Sequence, residues 1–154
     1  MPVFRNDPTA VSAGFTILPR DDYEFIIGNA KAFYKTGQNG KADNHGVRYG
    51  LVVASGPMEG KKSAPFNGYQ HSEDAQGFTK QFLMAALGYD KGREEEARFD
   101  ADQKGKDWGY DTDSGSVGDA WQELVGKRIV GSYDIGINTE TGAEQQKVLG
   151  WRKI

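Results

Sequence analysis

Residues 47–55 are apolar on both faces of an extended chain apart from Arg48, which predicts a buried strand. Residues 23–35 predict another, with two different faces. Ile26, Gly28, Ala30, Ala32 and Tyr34 make one face, small and apolar. Phe25, Ile27, Asn29, Lys31, Phe33 and Lys35 make the other, which begins apolar and ends with bases around an aromatic ring. Gly28, in mid-strand, marks a bulge or tight bend of the kind that lets one long strand serve both halves of a barrel. Between the two strands, residues 36–46 form a polar loop with three glycines. A turn over 56–60 follows, built on Pro57 and Gly60, and residues 61–69 return as a third strand. Pro65 places that strand at an edge or a bend, because proline cannot donate to a ladder.

The period then changes. Ala75, Phe78, Phe82, Leu83, Ala86 and Leu87 recur at helical spacing after Ser72, a good N-cap, and Gly88 supplies the stop. Residues 90–120 carry much charge and few apolar side chains, so they read as an acidic insertion, with a short helix near 94–99. Asp119 opens a brief turn ending at Gly126. Alternation resumes over 127–137, and a hairpin at 139–142 leads to a last strand over 146–154. The order strand, strand, strand, helix, strand, strand predicts a mainly β fold: a five-stranded OB-type barrel with one helix between strands three and four. Residues 1–13, with two prolines and no periodicity, read as a flexible N-terminal arm ahead of a domain over 14–154.

Composition narrows the choices. Among 154 residues there are 21 glycines and no cysteine, which excludes disulfides, thiolate metal sites and thiol catalysis. No leader sequence or membrane-length apolar run is evident, so the expected location is the cytoplasm, with no membrane partner. The net charge of −3 is unevenly spread: residues 90–120 carry five Lys/Arg against ten Asp/Glu, while both flanking parts sit at +1. Overall charge therefore gives no support to nucleic-acid binding.

Three motifs fail on spacing or partners. Gly56-Pro57-Met58-Glu59-Gly60-Lys61-Lys62 has three residues between its glycines where a phosphate loop has four. Asp100, Asp102, Gly105 and Asp111 echo a calcium loop, but Lys104 occupies a ligand position. His45 and His71 lie in separate loops without a metal partner, and no nucleophile has a recognisable base. Neither catalysis nor a cofactor is expected. The positive candidate is a surface of cations and flat rings, which single-stranded nucleic acid needs for its phosphates and bases. It comprises Lys31, Phe33 and Lys35 on the first strand, Lys41 in the loop and Arg48 on the second strand. Lys61, Lys62, Phe66 and Tyr69, around the third, complete it. The competing reading puts Phe33, Phe66 and Tyr69 in the core, with the lysines serving solubility.

Three stretches carry a resemblance. They are Leu18-Pro19-Arg20-Asp21-Asp22-Tyr23-Glu24-Phe25-Ile26-Ile27, Ser55-Gly56-Pro57-Met58-Glu59-Gly60-Lys61 and Phe82-Leu83-Met84-Ala85-Ala86-Leu87-Gly88. With Tyr49-Gly50-Leu51-Val52-Val53, they resemble a family of small bacteriophage replication and recombination proteins, similar to phage single-stranded-DNA-binding proteins with OB folds. The resemblance implies a non-enzymatic, largely sequence-independent binder of single-stranded DNA. It also implies replication or recombination proteins as partners, recruited through the acidic segment. The alternatives are a protein-interaction or virion adaptor module, or an oligosaccharide binder, on the same barrel.

Overall fold

The computed structural model describes residues 15–154, so the N-terminal arm read from the sequence lies outside the described residues. Five strands, β1 (Asp21–Lys35), β2 (Asn44–Val53), β3 (Phe66–Tyr69), β4 (Arg128–Ile137) and β5 (Glu144–Arg152), form one antiparallel sheet. Three helices, α1 (Glu73–Ala86), α2 (Arg93–Gln103) and α3 (Asp119–Gln122), lie between β3 and β4 in sequence. The strand order is β3-β2-β1-β4-β5.

The sheet is not closed, and this corrects the expectation of a complete barrel. β3 pairs over only four residues, because the chain before it breaks at Pro65, leaving Lys62 in a lone bridge to Val52. β5 is bent by a bulge at the Ser132/Tyr133 step of its partner. Side chains fill the space between these two edges. Phe66 stacks on Phe82 with centroids 3.8 Å apart and meets Trp151 edge-on at 5.6 Å. Lower down, Leu18 is fully buried, and its backbone exchanges hydrogen bonds with the Gln146 side chain.

One face of the sheet carries the core: Phe25, Ile27, Val47, Tyr49, Leu51, Val53 and Ile129 are all buried. α1 covers it with Phe82, Leu83 and Met84. Ser72 Oγ accepts from the Ala75 N–H, and Glu73 and Asp74 suit the positive helix end. At the other end the Gly88 N–H reaches the Ala85 carbonyl and the Tyr89 N–H reaches that of Met84, a paired closure that needs the positive φ of Gly88. Phe78, counted with the apolar stripe in the sequence, instead stands 71% exposed.

The acidic segment is more firmly built in than its composition implies. α2 runs four residues further than the sequence indicates at its tail and buries Phe99 against Tyr89. Trp108 packs edge-on against Trp121, whose ring N–H donates to the Trp108 carbonyl. Ala120 and Trp121 are buried, and the buried Tyr49 hydroxyl donates to the Trp121 carbonyl at 2.7 Å. A few large rings and main-chain bonds anchor this segment, which a count of apolar residues undervalues. Among the described residues, no helix is long and apolar enough to cross a membrane.

Candidate nucleic-acid interface

A bulge decides which side chains face outward. Ile27 pairs with Leu51 and Ala30 with Tyr49, so Gly28 and Asn29 together oppose Gly50 alone. One extra residue reverses the alternation. Phe25 and Ile27 therefore point into the core before the bulge, and Ala30 and Ala32 take over that face after it. The two faces read straight through Gly28 in the sequence are each split. Lys31, Phe33 and Lys35 stay together, but on the side opposite Phe25 and Ile27.

Register then assembles a row across three strands. Lys31 is paired with Arg48, and Arg48 with Asn67; Phe33 is paired with Gly46, and Gly46 with Tyr69. The Arg48 guanidinium sits 4.7 Å from the centre of the Phe33 ring, and its Nε donates to Asn67 Oδ1 at 2.6 Å. Phe33 meets Tyr69 edge to face at 5.5 Å. Phe33 and Tyr69 are half-buried, while Lys31, Lys35 and Arg48 are exposed. The result is a patch of two rings and a flat guanidinium, with ammonium groups alongside.

The remaining predicted residues divide. Phe66 is not on this patch: it pairs with Tyr49 and stacks on Phe82, facing the core. Alternation along β3 requires this, since Phe66 and Tyr69 differ by three residues. Lys41 is exposed in the β1–β2 loop, near the Lys35 end. Lys61 and Lys62 lie at the far end of β2, where Lys62 faces Val52, roughly 13 Å along the strand from Arg48. Among the described residues, none of these six lysine and arginine side chains has a carboxylate partner, whereas Lys80, Arg98, Lys106, Arg128, Arg152 and Lys153 all do.

No protein-family model matches the chain, and no curated protein matches it.

Sequence reasoning missed several neighbours of the patch. Asn67 holds Arg48 in place, and the signal was only its register opposite that arginine. At the strand ends, Tyr34 lies parallel to His45, and His45 Nδ1 is 2.6 Å from the Tyr110 hydroxyl. Tyr34 also donates to the Asp43 carboxylate, which holds that carboxyl below its ordinary pKa and raises that of the tyrosine. Burial raises Tyr110 as well. The loop after Tyr110 runs along the free edge of β1: the Ala32 N–H donates to the Gly115 carbonyl, and the Lys31 stem packs against Gly115. Asp111 in that loop is held below its ordinary pKa, first by the Asp113 N–H. The loop that carries Asp111 and Asp113 thus runs beside Lys31, at one side of the cationic patch.

Proposed function

We propose that the protein binds single-stranded DNA, without catalysis and largely without sequence preference, in bacteriophage replication or recombination. The observation that carries this reading is the Arg48–Phe33–Tyr69 cluster on the outer face of β1, β2 and β3, with Lys31 and Lys35 beside it. Bases stack on flat side chains whatever their sequence, and unpaired cations neutralise phosphates. The strand order is that of an OB barrel opened between β3 and β5, and such barrels bind oligonucleotides on the face of strands two and three. Here β2 and β3 carry Arg48, Asn67 and Tyr69 on that face.

The acidic segment has a separate part in this reading, as a docking site for replication or recombination proteins. Its carboxylates around Asp111 and Asp113 also compete with phosphate for the Lys31 side of the patch. The same carboxylates favour a second reading, a protein-interaction or virion adaptor module that takes no nucleic acid.

Fluorescence anisotropy of a labelled oligo-dT separates the two. The DNA-binding reading expects saturable binding at about 50 mM salt that weakens steeply by about 200 mM, as counterions are released. Unchanged anisotropy at low salt with micromolar protein removes that reading and leaves the adaptor.

A further inference from the structure

Phe78 is the most exposed large apolar side chain among the described residues, and it projects from the middle of an ordered helix. A single exposed ring is ordinary on a protein surface. This one sits in a groove. Two concavities of about 530 and about 670 Å³ share Gln81, Met84 and Glu96, so they run together along α1. Phe78 stands in the first, while Met84, Tyr89 and Trp151 wall the second.

The two ends of the groove differ in charge. Glu73 and Asp74 lie at the Phe78 end, where Lys80 is already held by Glu96 and Asp100, and Lys91 lies at the other. Among the described residues, none of Glu73, Asp74 and Lys91 has an ion-pair partner, whereas Lys153 and Arg152 at the Lys91 end are already held by Asp90 and Asp22. An apolar knob at the acidic end and an apolar socket at the basic end make a surface complementary to itself when turned end for end. That is the requirement of a twofold contact, in which one patch serves both partners.

We propose that the occupant of this groove is a second copy of the chain, with the two α1 helices antiparallel across a twofold axis beside Gln81. Six residues separate Phe78 from Met84, about 9 Å of helix, so turning the helix about Gln81 brings Phe78 level with Met84 of the second copy. Its ring then enters the socket next to Tyr89 and Trp151. The same rotation sets Asp74 level with Gly88 of the second copy, within side-chain reach of Lys91. Gly77, Ala85 and Gly88 on this stripe add little bulk and let the helices approach. The patch shares no residue with the Phe33–Tyr69 surface.

Sedimentation of the full chain over about 1 µM to about 1 mM tests this directly. The expected result is a monomer–dimer equilibrium in that range. Phe78→Asp weakens it at least about tenfold, a size typical of losing an interface anchor. Its melting temperature, read at low concentration, stays at the wild-type value, because the ring is exposed. Lys91→Asp weakens association, Asp74→Lys does the same, and the double exchange restores it by re-forming the pairs with opposite sign. A monomer at every concentration overturns the proposal. So does a dimer indifferent to Phe78→Asp, which would use another surface, or a double exchange that fails to restore association.

Discussion

Phe33 and Tyr69 meet edge to face with centroids 5.5 Å apart, although β2 runs between their strands. They meet because Gly46, the register partner of both, has no side chain to part them. A Cβ added at Gly46 would fall 2.0 Å from the Gly68 carbonyl oxygen, and backbone cannot swing aside as a side chain can. Gly46→Ala is therefore expected to pry β3 from β2 and destabilise the fold by about 1–3 kcal/mol, as overpacking does. Thermal denaturation checks this, and an unchanged melting temperature contradicts it.

Phe33→Ala separates binding from folding. The ring lies on the outer face, so its loss is expected to lower the melting temperature far less than removal of a core phenylalanine, which costs about 3–5 kcal/mol. Affinity for oligo-dT is expected to fall by the worth of one stacked base, about 1–3 kcal/mol. Arg48→Lys keeps the charge but loses the flat stack and the Asn67 bond. It is expected to weaken binding while leaving the salt dependence nearly intact. A steep loss of stability in Phe33→Ala means that the ring is structural.

Tyr49→Phe tests how far the acidic segment belongs to the fold. The Tyr49 hydroxyl is the buried donor to the Trp121 carbonyl, and removing it leaves that acceptor only the longer bond from the Leu124 N–H, at 3.3 Å. The expected cost is the net worth of one hydrogen bond, about 0.5–1.5 kcal/mol, with the loss felt across residues 107–124. Hydrogen exchange reads it as faster exchange in that segment than in β1. Equal protection throughout would mean that the bond does not couple the two.

How much of this was legible in the sequence follows from what alternation can encode. β2, α1 and its Ser72 cap, and the β4–β5 hairpin were readable because each pattern is local and unbroken. The Lys31-Phe33-Lys35 alternation survived for the same reason. Its neighbours did not, because the bulge at Gly28 and Asn29 exchanges the two faces of β1, and a glycine announces a bulge without giving its direction. Phe66 was misplaced by grouping it with Tyr69, three residues on, which alternation along one strand sets on the opposite face. Phe99 and Trp121 were undervalued because a few aromatic anchors can hold a charged segment that composition marks as solvated. The open edge between β3 and β5 depends on side chains far apart in sequence, Phe66 and Trp151, which no local pattern contains.

Alkaline pH should loosen the core. Burial pushes Tyr133 up to about 12 and raises Tyr49 further. A pKa raised in the folded state means that the fold favours the neutral phenol. That stabilisation is whole below the unfolded value near 10 and is lost as pH climbs from there towards about 12. Tyrosinate absorbance and circular dichroism should therefore show late-ionising tyrosines appearing together with unfolding. Tyr133→Phe should shift the alkaline transition to higher pH, because one ionisation no longer drives it. Complete tyrosine ionisation in a folded protein contradicts the burial argument.

The most direct test of the central claim is to map oligo-dT onto the protein by amide chemical shifts in a titration at low salt. The prediction is that the amides of Lys31, Phe33, Arg48, Asn67 and Tyr69 move most, along a single saturable curve, and return when salt is raised. Movement confined to α1 and α2 would place the ligand on the wrong surface. An unperturbed spectrum with excess oligonucleotide would contradict the account outright.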